Sequence, residues 1–96
     1  MEKEDIRVLS AFIKRIGMYA PGETSESIIS FINGYELGRR KECEFSKKLS
    51  ELLEEKYKYK KNAMGWIGQL YEYGKENNLT WKESFKMTGL ELIRNT

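Results

Sequence analysis

Ile6, Leu9, Phe12, Ile13 and Ile16 stand three or four residues apart, the spacing that gathers side chains onto one face of an α-helix. The same interval returns in each later segment. No segment keeps the strict alternation of a half-buried strand. A chain of 96 residues with one apolar stripe per segment can hide those stripes only by packing helices on one another. The pattern predicts an all-α fold, a compact bundle of about five short helices in a single domain spanning residues 1–96.

Local signals set the expected boundaries. The first helix covers 4–16, with Asp5, Arg7 and Lys14 off its stripe and Gly17 as its terminator. "MYAPGE" forms a loop around Pro21-Gly22, the only proline in the chain. Met18 and Tyr19 are expected to fold back over the junction of the first two helices. Thr24 or Ser25 caps a second helix, with Glu23 and Glu26 near its positive end. Ile28, Ile32 and Tyr35 mark its buried side, Tyr35 keeping its hydroxyl at the surface, and Gly34 leaves room for a neighbour. A third helix, 44–58, carries Phe45, Leu49, Leu52 and Leu53, with Glu44/Lys48 and Glu54/Lys58 spaced for ion pairs. A fourth, 62–76, holds Met64, Ile67, Leu70, Tyr71 and Gly74, with Gly65 and Gly68 serving close packing. Thr80 and Glu83 make a capping box for the last helix, whose side runs through Trp81, Phe85, Thr88 and Leu92.

The chemistry of sites is sparse. There is no histidine and one cysteine, Cys43, which removes the usual zinc sites and the Cys-His and Ser-His nucleophile systems. No phosphate-binding loop is present. No residue recommends an enzyme, and no cofactor is implied. A lone cysteine fits a reducing compartment, and the charged N-terminus is neither a signal peptide nor a membrane span, so a cytoplasmic protein without a membrane partner is expected. The net charge of +2 divides evenly between the two halves. It points neither to nor away from nucleic acid.

Two charged stretches remain. Glu51, Glu54 and Glu55 lie within about one turn and read as a solvated helix face. "KYKYKK", residues 56–61, interleaves Lys56, Lys58, Lys60 and Lys61 with Tyr57 and Tyr59. Such a stretch suits phosphates and stacked bases, and Arg39, Arg40 and Lys41 extend it if the fold brings them near. The simpler reading, which is preferred, is that its lysines complement the negative end of the third helix while its tyrosines pack partly inward.

"RIGMYAP" followed by "ESIISFINGYELG" resembles small bacterial immunity proteins found beside polymorphic toxins, including those of contact-dependent growth inhibition systems. The matching residues are Arg15, Gly17, Met18, Tyr19, Ile28, Phe31, Ile32, Gly34 and Tyr35. The resemblance implies a stoichiometric inhibitor that binds one cognate toxin domain, a nuclease among the possibilities. Inhibitors of nucleases are often acidic and this chain is not, which counts against simple charge mimicry. A nuclease would have to be met by the local acidic patches Glu23/Glu26 or Glu51/Glu54/Glu55, with Tyr19 a further expected partner contact, or be bound away from its groove. The alternative is a small helical nucleic-acid-binding or regulatory protein that uses Lys56, Lys58, Tyr59, Lys60 and Lys61.

Overall fold

The structure, a computed structural model, describes residues 1–40 and 42–96. Among them are six α-helices and no strand: α1 (Lys3–Lys14), α2 (Ile16–Tyr19), α3 (Ser25–Gly38), α4 (Phe45–Glu55), α5 (Trp66–Asn77) and α6 (Trp81–Arg94). A 3-10 turn, Pro21–Glu23, links α2 to α3. None of these helices is long and apolar enough to cross a membrane.

The expected first helix is two. Arg15 takes φ −134°, ψ 52°, outside the helical region, so α1 stops at Lys14 and a separate turn begins at Ile16. Gly17 sits inside that turn and terminates nothing. The next expected helix begins at Ser25 as anticipated, with Thr24 Oγ1 accepting from the Ser27 amide at 3.2 Å. The third ends at Glu55, not at residue 58. Lys58 adopts φ 66°, and the expected Glu54/Lys58 pair does not form. Glu44 pairs with Lys47 at 3.2 Å instead of Lys48. The fourth starts at Trp66, because Gly65 takes φ 60° and holds Met64 outside the helix as an exposed side chain. The capping box at Thr80 and Glu83 forms as read.

Helix α6 packs against α1, α4 and α5. Phe85, fully buried at its centre, meets Phe12 edge-on at 6.2 Å, Phe45 at 6.1 Å and Trp81 in offset stacking at 5.7 Å. Close approach rests on glycines. A Cβ at Gly89 would stand 3.0 Å from Ile13 Cδ1 of α1, and one at Gly74 would stand 2.7 Å from Ser84 Oγ of α6. Gly68 serves the expected close contact, against the Asn62 side chain, whereas Gly34 has open space beside it. The α5–α6 turn closes through Asn78 in the left-handed region, with the Leu79 amide donating back to the Gly74 carbonyl at 2.9 Å.

Helix α3 is held differently. Phe31 stacks on Phe12 with ring centres 3.9 Å apart, and a polar cluster sits beside that pair. Asp5, expected on the solvent side of α1, is fully buried. Its carboxylate accepts from the Tyr35 hydroxyl at 2.7 Å, from Arg39 Nε at 2.7 Å and from the Glu2 amide at 3.0 Å. The Tyr35 hydroxyl therefore points at a buried carboxylate rather than at solvent. Burial alone would raise the Asp5 pKa. The hydrogen bonds from Arg39, Tyr35 and the Glu2 amide, with the Arg39 charge, outweigh it and hold the group below its ordinary value.

The sign of that balance fixes a pH dependence. A carboxylate depressed in the folded state stabilises it above the unfolded pKa of about 3.9 and loses that effect as pH falls through the folded value. Asp5→Asn is expected to lower stability at pH 7 by about 2–3 kcal/mol, less than for a sequestered pair because Arg39 stays partly in water. Urea denaturation of both proteins checks this, and the gap should shrink as the pH is taken below 4. A gap that stays constant from pH 7 to pH 3 would mean that the charge on Asp5 contributes nothing.

Candidate interaction surfaces

The corner between α1 and α3 is built from buried small and apolar residues that force larger ones outward. Ile16 and Ala20 face the core, and the Ala20 amide donates to the Ile16 carbonyl at 2.8 Å. On so short a turn the residues between them must point away. Met18 is 71% exposed, contrary to the expectation that it covers the junction, and Tyr19 is 46% exposed. Tyr19 does lie on the junction, edge-on to Phe12 at 6.1 Å and to Phe31 at 6.0 Å.

Gly22 at φ 77° and Glu23 at φ 51° turn the chain into α3. A left-handed backbone is costly for a residue with a side chain. Glu23 here reaches back over Gly17, where a Cβ would stand 3.2 Å from its carboxyl carbon, and pairs with Lys82 at 3.2 Å. A cleft of about 290 Å³ opens beside it, lined by Lys14, Arg15, Lys82 and Lys86 as well as Met18. The surface around Glu23 is therefore basic and not the acidic patch that Glu23 and Glu26 suggest in sequence, because α6 brings two lysines to it. Glu26 lies exposed in the first turn of α3, outside the cleft lining.

Glu51, Glu54 and Glu55 are exposed on α4, opposite the buried Leu49 and Leu53. Among the described residues none of the three forms an ion pair.

The basic-aromatic stretch is anchored. Lys56 pairs with Glu91 of α6, and the Tyr57 hydroxyl donates to the same carboxylate. The Tyr59 hydroxyl donates to Glu76 of α5 at 2.7 Å. Both rings meet the buried Tyr73 edge-on, at 5.2 and 6.0 Å. Gln69, fully buried, donates from Nε2 to the Tyr59 carbonyl at 2.8 Å and accepts from Ser50 Oγ at 2.6 Å. The tyrosines thus serve the α4–α5–α6 seam, while Lys58, Lys60 and Lys61 remain exposed. Arg39 is drawn to Asp5, Glu2 and Glu42, so it does not extend the patch. Arg40 is exposed, and Lys41 lies outside the described residues.

A second cleft, about 470 Å³, lies between the end of α3 and the start of α4. Glu36 is among its lining residues and accepts from the Ser46 amide at 2.9 Å and the Ser46 hydroxyl at 2.8 Å. This gives α4 an N-terminal cap from another helix. Cys43 is buried there, and burial pushes its thiol pKa up, away from reactivity.

Sequence spacing carried a signal for two of the unforeseen groups. Asp5 lies four residues before Leu9 and seven before Phe12, on their stripe, and Gln69 lies four before Tyr73. No local pattern marks Glu91, Glu76 or Lys82, whose partners come from distant segments, or Lys86, which reaches the cleft beside Lys14 and Arg15 only through the fold. Comparison of the chain with family models, curated proteins and solved structures returns no match.

The hydrogen bond to Glu76, followed by burial, pushes the Tyr59 pKa up to about 12. A phenol raised in the folded state stabilises it fully below the unfolded value of about 10 and loses that effect as pH rises through 12. In a phenolate absorbance titration, the difference between wild type and Tyr59→Phe should show one group ionising near 12. Glu76→Gln should return that step towards 10. An ordinary titration of Tyr59 in the wild type would show that the bond does not persist in solution.

Proposed function

We propose that the protein is an immunity-type inhibitor that neutralises a bacterial toxin domain by forming a one-to-one complex with it. The resemblance in residues 15–35 names the class, and the corner at Arg15–Glu23 is the observation that carries the reading. Protein interfaces concentrate their energy in Tyr, Trp, Arg and Met side chains at a partly apolar centre, and they are depleted in Glu. Arg15, Met18 and Tyr19 meet that description on a junction fixed by Ile16, Ala20 and Pro21. The Glu51/Glu54/Glu55 row has the composition of a solvated rim. Stoichiometric inhibition asks for a rigid scaffold, and every buried side-chain polar atom among the described residues has a partner within the chain.

The nucleic-acid reading is weaker on the same grounds. Base stacking needs free aromatic faces, and the rings of Tyr57 and Tyr59 are packed on Tyr73 with their hydroxyls held by Glu91 and Glu76.

The test is co-expression with the toxin domain encoded next to its gene, with growth rescue and a nuclease-treated pull-down as readouts. A one-to-one complex and restored growth are expected. Tyr19→Ala should weaken the complex by about thirtyfold, the size of an interface hot spot. Reversing Glu51, Glu54 and Glu55 to lysine should change it by less than about threefold. Recovery of nucleic acid alone in a parallel pull-down without nuclease, lost on raising the salt, would overturn the proposal.

A further inference from the structure

The cleft at the corner concentrates charge that the sequence conceals. Lys14 ends α1 and Arg15 follows it, while Lys82 and Lys86 lie one turn apart on α6, nearly 70 residues away in the chain. Half of the residues lining the cleft are cations, and Glu23 is the single acid among them. Its local charge of +3 exceeds the +2 of the whole chain. Glu23 is already engaged with Lys82, whereas Lys14, Arg15 and Lys86 form no ion pair among the described residues. Like charges gathered around a concavity reinforce one another's field and raise the local concentration of an oppositely charged group. Met18 lines the same cleft with most of its side chain in solvent, and Tyr19 follows it.

We infer that this cleft receives the carboxylates of an acidic segment on a protein partner, with Met18 and Tyr19 covering the apolar residues beside them. The inference rests on the inhibitor reading for the partner's biological role, and it names the chemistry of the surface that partner presents. Charge complementarity commits the occupant: a cationic cleft with an apolar rim matches an acidic, partly apolar segment, and it would repel the basic groove of a nuclease. The inhibitor then docks beside such a groove and blocks it by bulk or by holding the toxin's shape, without mimicking a nucleic acid. Glu23 acts as an internal counter-ion that mutes one of the four cations. It is not a contact made to the partner.

An amide NMR titration of the isolated protein tests the cleft. The probe is the blocked peptide Glu-Glu-Leu-Glu-Glu-Phe, and the control is its counterpart with glutamine for every glutamate. Saturable shifts confined to residues 14–23 and 82–86 are expected from the acidic peptide, weakening with salt, and none from the control. The triple variant Lys14→Gln, Arg15→Gln, Lys86→Gln changes only exposed side chains and should weaken binding about tenfold, as three exposed charge contacts allow. Glu23→Gln should strengthen it by releasing Lys82, an opposite sign that a direct contact at Glu23 would not give. Shifts centred on Lys58, Lys60 and Lys61, or no saturable binding, would overturn the inference. So would tighter binding of inorganic phosphate or duplex DNA at the same residues. The pull-down reports on the inhibitor reading without these variants, so failure of one proposal is distinguishable from failure of the other.

Discussion

The buried carboxylate of Asp5 fixes where α3 lies, and much of the outer surface follows from that. The other long helices interlock through side chains around α6, with glycines admitting close neighbours. Helix α3 buries Ile28 and Ile32 in the core and meets α1 through a stacked ring pair and the Asp5–Tyr35–Arg39 cluster. A stacked pair has no strong preference for one rotation, whereas two hydrogen bonds to a single oxygen define both distance and direction. The carboxylate also belongs to α1, where it accepts from the Glu2 amide as a capping group at the helix's positive end. One side chain therefore starts one helix and orients another, and the corner between them has little freedom left.

Gln69 has the same role on the other side of the bundle. It connects Ser50 on α4 to the Tyr59 carbonyl in the segment between α4 and α5. That bond holds the stretch after α4 against the bundle and sets Tyr57 and Tyr59 against Tyr73. Apolar packing alone tolerates small slips of one helix along another. A buried amide with named partners does not, because each slip leaves a polar group unsatisfied.

The helical class, the caps at Thr24 and Thr80 and the stripes of α4 and α6 were legible in the sequence because they depend on neighbours within four residues. The break at Arg15 was not, since no glycine or proline stands there and the bend serves the burial of Ile16 and Ala20. The late start of α5 was missed for the opposite reason: Gly65 was read as a packing glycine when its role is a positive φ. Asp5 was misplaced by the assumption that polar residues face water, and Gln69 drew no reading at all, although both positions lie on apolar stripes. At the surface, Tyr19 was legible as a candidate contact. The sign of the charge around it was not, because Lys82 and Lys86 reach the corner only through the packing of α6 on α1.

That arrangement has an energetic consequence. Folding brings four cations to one cleft and a single glutamate to offset them, and it places that glutamate in a left-handed backbone conformation. Mutual repulsion and backbone strain both oppose the folded state. No core side chain requires the charge: Lys14, Arg15 and Lys86 are exposed, and the Glu23 side chain pairs with Lys82 and lies over Gly17. Elsewhere the chain neutralises its inward charges closely, pairing Asp5 with Arg39 and Glu91 with Lys56. A cluster left uncompensated beside an exposed Met18 departs from that pattern, and the acidic partner segment proposed for the cleft would supply the missing counter-charge.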